Sequence, residues 1–132
     1  MESKGEKKIR ELLEKRHMPF LQEYSFSDLK SVRNKPLRFD FAVFSDDGKL
    51  QFLIEYQGEQ HYLFIPYFSK DKLKWAAARV NDVRKCRYCF MHNIPLYCIP
   101  YYEYDNIQTI EDLCQDKYRV KSKWHNQITK ID

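Results

Sequence analysis

Glycine is scarce in this chain, three in 132 residues, and proline is little commoner at five. That leaves no material for a glycine–serine linker, and no internal repeat or low-complexity run is present. No apolar stretch approaches the roughly 18 residues that a membrane-spanning helix requires, so no membrane partner is expected. The first eight residues, Met1 to Lys8, are charged and lack the apolar run of a secretory signal, which makes the cytoplasm the expected location. A strong excess of one charge is missing too: Lys and Arg number 23 against 19 Asp and Glu. That balance permits a polyanionic partner without demanding one.

Cysteine is limited to Cys86, Cys89, Cys98 and Cys114. In a reducing compartment these are expected to be buried thiols rather than disulfides. Cys86 and Cys89 have the spacing of a zinc knuckle, but they fall inside a strongly helical segment, and the other two cysteines stand singly in apolar runs.

What the chain does have is core material. Hydrophobic residues make up 43% and aromatics 16%, which excludes an intrinsically disordered protein, and the length suits one domain. That domain is expected over residues 1–119, followed by a basic, flexible tail over 120–132.

A first helix is predicted from Lys4 to His17, capped by Ser3 with Glu6, its apolar stripe made by Ile9, Leu12 and Leu13. A weakly alternating strand follows over Gln22 to Phe26. The next strand, Leu37 to Phe44, is expected to turn Leu37, Phe39, Phe41 and Val43 one way and Arg38, Asp40, Ala42 and Phe44 the other. After a hairpin at Asp46-Asp47-Gly48, Leu50 to Gln57 forms a third strand. Leu50, Phe52, Ile54 and Tyr56 would share one face, and Gln51, Leu53, Glu55 and Gln57 the opposite one.

An aromatic loop through Phe68 leads to a long helix, Lys70 to His92, with Leu73, Ala76, Ala77, Val80 and Val83 inward. A short buried strand (Pro95 to Tyr101) and a last amphipathic helix (Ile107 to Arg119) complete the order helix, three strands, helix, strand, helix. This pattern predicts an α/β (α+β) fold, a mixed sheet of about four strands flanked by helices.

Chemistry concentrates between Arg38 and Gln57. If Asp47 and Gly48 are the centre of a two-residue turn, Asp46 pairs with Lys49 and Asp40 falls opposite Glu55. Both carboxylates would then leave one face with side-chain origins about 4.5–5.5 Å apart, and a one-residue slip would undo the arrangement. Gln57 lies on the same face. Adjacent carboxylates repel unless a proton or cation separates them, and a hard divalent ion such as magnesium suits oxygen ligands. Ordinary ion pairs are the competing explanation: Arg38 or Arg33 for Asp40, and a lysine for Glu55.

Asp40, followed by Glu55-Tyr56-Gln57 on the next strand, resembles the PD-(D/E)XK nuclease pattern, with Gln57 where that family usually has lysine. Four segments in order carry a narrower resemblance: Leu37 to Phe41, Ile54 to His61, Asn81 to Lys85 and Ile94 to Tyr101. They are similar to small phage and bacterial endonucleases related to the very-short-patch repair and EDxHD homing endonucleases. The match runs from Ser3 to Tyr101, roughly three quarters of the chain.

The resemblance implies a restriction-endonuclease-like fold, magnesium (with manganese able to substitute) and hydrolysis of DNA phosphodiester bonds. It makes Asp40 the central metal ligand and Glu55 the second, with Gln57 orienting the attacking water. It also nominates Glu6, His61 and Asp82. It points to a bacterium or a phage-infected host cell as the setting, and to a homodimer where both strands are cut.

An amide at Gln57 can hold water but cannot stabilise hydroxide by charge, so metal acidification, His61 or Lys85 must supply that function. Simpler roles compete here as well. Ser3 and Glu6 make a capping box, and Asp82 and Lys85, one helical turn apart, suit a mutual ion pair. A nucleic-acid-binding protein without turnover is the alternative function.

Overall fold

The computed structural model describes residues 2–59 and 72–122. The first helix, α1 (Lys4–Lys15), begins on the predicted capping box: Ser3 Oγ accepts from Glu6 N–H and Glu6 returns a carboxylate oxygen to Ser3 N–H. It ends where His17 takes a left-handed conformation, φ 54°. Strands β1 (Phe20–Lys30), β2 (Pro36–Phe44) and β3 (Leu50–Gln57) form an antiparallel meander. A long helix, α2 (Lys72–Met91), then carries the chain to β4 (Leu96–Pro100), which runs parallel to β3. The sheet order is β1-β2-β3-β4, so the fold is a four-stranded mixed sheet with helices on both faces.

Two cores result. On one face Ile9 and Leu13 of α1 pack with Phe41, Val43, Ile54 and Ile99, and with Ile107, Ile110 and Leu113 from the C-terminal segment. On the other, Cys86 and Cys89 of α2 pack with Phe39, Ala42, Leu53, Leu96 and Cys98. All four cysteines are free thiols. Among the described residues, none of them joins a cluster of potential metal ligands. No helix among these residues is long and apolar enough to cross a membrane.

Several details depart from the sequence reading. The C-terminal helix is a single turn, α3 (Ile110–Leu113), set between 3-10 turns at Tyr101–Asn106 and Asp116–Tyr118. Val120 N–H still bonds Leu96 O at 2.9 Å, which ties the chain to β4 just past residue 119.

The buried side of α2 is not its aliphatic side. Trp75, Arg79, Asp82, Cys86 and Cys89 face inward, while Leu73 is 82% exposed and Val80 46%. The helix docks through charge and sulfur because its sheet-facing neighbours include Glu55.

Alternation also breaks in the strands. Leu37 and Phe39 pack on the α2 face, whereas Phe41 and Val43 pack on the α1 face. The flip falls at Asp40, and β1 makes it at the paired position. Phe20 lies on the α1 face, Tyr24 and Phe26 on the α2 face, and Glu23 between them has φ 55°. Leu50, expected to share a face with Ile54, instead packs on the α2 side.

The hairpin explains Leu50. Gly48, at φ 84°, closes a turn in which Ser45 N–H bonds Lys49 O at 2.8 Å, so three residues separate the paired ends rather than two. An irregularity in β3 then restores the register: Phe44 pairs with Leu50, but Val43 pairs with Phe52. From there Phe41 meets Ile54, as the simple turn would have placed it.

Candidate active site

The site forms where the ladder between β2 and β3 gives way to side chains. Beyond the Phe41–Ile54 pair, Asp40 N–H donates to Glu55 Oε2 at 3.1 Å, and Asp40 Oδ2 accepts from Tyr56 N–H at 2.8 Å. Each acid thus satisfies main chain on the neighbouring strand. Burial, then the charge of Glu55, pushes the Asp40 carboxyl well above the usual carboxylate range, with Glu6 adding to the rise.

The two acids serve different neighbourhoods. Glu55 turns toward α2, where its Oε1 is paired with the Lys85 ammonium. Lys85 also donates to Arg38 O at 2.9 Å and lies 4.0 Å from Asp82 Oδ1. Asp82 in turn pairs with Arg79 at 3.2 Å, both side chains nearly inaccessible. Burial alone would depress the Lys85 ammonium, but Glu55, Asp82 and Asp40 outweigh it and raise its pKa. Lys85 is therefore a fixed cation at neutral pH. Arg38 lends this group its carbonyl, and no ion pair joins Asp40 to Arg33 or Arg38 among the described residues.

Asp40 faces the other way, toward α1 and β1. Carboxylate oxygens of Glu6, Glu23 and Asp40 lie within 4.8 Å of one another. Three hard oxygen donors at that separation fit a divalent cation such as magnesium, with positions left for water and a phosphate oxygen. Glu6 keeps its capping role through the bond to Ser3 N–H, so capping and clustering coexist in one side chain. Its position depends on Gly5. A Cβ there would lie 2.1 Å from the Tyr56 ring, and only glycine lets the first turn of α1 settle on β3 beside Asp40.

The residues nominated from sequence thus separate into two groups. Glu6 and Asp40 converge with Glu23; Glu55, Asp82 and Lys85 converge with Arg79. Gln57 is 4% exposed and lines a small space with Glu55, Asp82, Lys85, Cys86, Leu96 and Cys98. His61 lies outside the described residues, as do the aromatics from Tyr62 to Phe68 and the tail beyond Ser122.

Glu23, Gly5 and Arg79 were not singled out as site residues. The signal for Glu23 was its place opposite Asp40, since Gln22 pairs with Phe41 and Tyr24 with Phe39. Its strand alternates too weakly for that register to be fixed from sequence.

No family model matches this chain, and no solved structure matches it. It is similar to Uncharacterized protein 307L of Invertebrate iridescent virus 6, with 42% identity over 63 residues. The aligned stretch is 48% of this chain and 32% of the viral protein, so the chain spans about a third of that relative's length.

Proposed function

We propose that the protein is a metal-dependent DNA endonuclease. The observation that carries this reading is the approach of Glu6, Glu23 and Asp40 oxygens within 4.8 Å, beside an Asp40–Glu55 contact backed by Lys85. A magnesium ion held by these acids would supply charge neutralisation at the phosphate and a water acidified toward hydroxide. Asp40 belongs to both halves of the site and is the central ligand. Glu6 and Glu23 are the other ligands that the geometry favours, because both oxygens of Glu55 already accept from Lys85 and from Asp40 N–H.

Lys85 holds the only ammonium in direct contact with Glu55 among the described residues. It stays protonated, so it acts by fixed charge on Glu55 and not as a base. Gln57, neutral and buried, lines the same small space as Glu55 and Lys85. These roles assign to α2 the cation that the Gln57 position lacks.

The burial of Gln57 supports a second reading, a nucleic-acid-binding protein without turnover. One experiment separates the two. Supercoiled plasmid is incubated with the protein in magnesium, in manganese and in EDTA, beside Asp40→Ala. Metal-dependent nicking that Asp40→Ala abolishes supports the nuclease. Plasmid binding without any nicking would replace it with the second reading.

A further inference from the structure

We propose that Arg79 is a positioning residue for the candidate metal site: by pairing with Asp82 it keeps Lys85 on Glu55, and so keeps Glu55 on the backbone of Asp40. The inference rests on the metal-site reading and assigns a role within it to a buried side chain of α2. Trp75, Arg79, Asp82 and Cys86 follow one another at helical spacing on the buried face of that helix. Arg79 lies 5.6 Å from the centroid of the Trp75 ring, one turn back, and its Nη2 is 3.2 Å from Asp82 Oδ2. At the other carboxylate oxygen, Oδ1, the Lys85 ammonium stands 4.0 Å away, too far for a charge-assisted hydrogen bond. Lys85 makes its direct contacts elsewhere, with Glu55 Oε1 and with Arg38 O at 2.9 Å. Asp82 thus sits between two cations, closer to Arg79, while Glu55 has Lys85 in direct contact.

These charges balance, Arg79 and Lys85 against Asp82 and Glu55, and none of the four side chains is more than 13% exposed. Buried charges are poorly screened, so a charge removed here is not made good by solvent. Without Arg79 the pull of Asp82 on Lys85 rises by the field of a full charge, whatever else Asp82 touches. A shift of about 1 Å would bring the Lys85 ammonium into hydrogen-bond range of Oδ1. The same shift draws it off Glu55. Glu55 then faces Asp40 with less positive charge behind it, and the repulsion between the two carboxyls grows. The bond from Asp40 N–H to Glu55 Oε2 loosens, and Asp40 carries the change to its cluster with Glu6 and Glu23. Arg79 thereby acts on the cluster through Asp82, Lys85 and Glu55 in turn.

The test follows the Asp40 amide by NMR of isotope-labelled protein in EDTA, and magnesium affinity by calorimetry. Arg79→Gln can still donate to Asp82 but carries no charge. It should move the Asp40 amide upfield and speed its hydrogen exchange roughly ten-fold. Arg79→Lys should keep the wild-type position, because it keeps the charge. The double variant Arg79→Gln/Asp82→Asn should return to that position as well, because the competing carboxylate is gone. Magnesium affinity should fall roughly ten-fold in Arg79→Gln and recover in the other two. A role confined to packing predicts the opposite order, with the double variant worse than the single. Melting curves establish folding. If Arg79→Gln alone is unfolded, the charge-balanced double variant decides, since its Asp40 amide must keep the wild-type position.

An Asp40 amide unmoved in folded Arg79→Gln, or displaced equally in the double variant, overturns the inference. If the amide responds as expected but wild type binds no magnesium, the metal reading fails and the positioning role stands. Magnesium binding by wild type with an amide indifferent to Arg79→Gln gives the reverse.

Discussion

The main-chain N–H of Asp40 donates to Oε2 of Glu55 at 3.1 Å, so the backbone of one acid secures the side chain of the other. The two carboxyl groups cannot separate without breaking a hydrogen bond, and their repulsion is built into the fold. That repulsion appears in the raised Asp40 pKa, after the larger effect of burial.

Asp40→Asn should therefore stabilise the metal-free protein while abolishing metal-dependent nicking. An acid whose pKa is raised on folding holds its proton longer in the native state. Stability then falls as pH rises from the ordinary aspartate value through the raised one. Asparagine keeps an acceptor for Tyr56 N–H and carries no charge. Melting in EDTA should show a gain of a few degrees at pH 7 that vanishes near pH 4. An equal gain at both pH values would contradict the charge explanation.

Lys85→Met leaves the buried Glu55 carboxylate without its cation. Removing one partner of a buried pair costs about 3–5 kcal/mol, so a large drop in denaturation midpoint is expected. The double variant Lys85→Met/Glu55→Gln should recover most of it, because no uncompensated charge remains. Urea unfolding of the four proteins gives the coupling directly.

Glu23→Gly should separate stability from metal binding. At φ 55° a side chain strains the backbone by about 1 kcal/mol, and glycine does not. The variant should melt higher than wild type and bind magnesium more weakly by calorimetry. A higher melting point with unchanged magnesium affinity would remove Glu23 from the ligand set.

Gly5→Ala forces a methyl group into the Tyr56 ring. Overpacking of this kind costs about 1–3 kcal/mol, and relief by moving α1 carries Glu6 away from Asp40. Magnesium affinity should fall together with stability. Adding Tyr56→Leu, which removes the ring atoms the methyl meets, should restore part of both.

How legible all this was depended on which force shaped each element. The element order and the limits of β3 followed from apolar periodicity and turn residues, since apolar burial dominates there. α2 followed in position but not in rotation. A helix that buries Arg79, Asp82 and Lys85 against Glu55 shows an amphipathic pattern with the wrong sign, and the partner acid lies far away in sequence. The nearness of Asp40 and Glu55 was legible. Their facing was not, because the crease shared by Asp40 and Glu23 depends on one left-handed residue whose sequence gives no glycine or asparagine to announce it. Glu6 was visible as a cap; its neighbours Glu23 and Asp40 come from two other elements.

The irregularity in β3 also bears on chain length. Gln51 is the surplus residue between the Phe44–Leu50 and Val43–Phe52 pairs, and its side is exposed. A chain lacking it would pass from Leu50 straight to Phe52, with every other side chain on its present face. A deletion between Phe52 and Glu55 has no such slack and would turn Glu55 away from Lys85. Length variation in relatives of this protein should therefore gather at the hairpin and stop short of Phe52, as a spacer gives way before the part it separates.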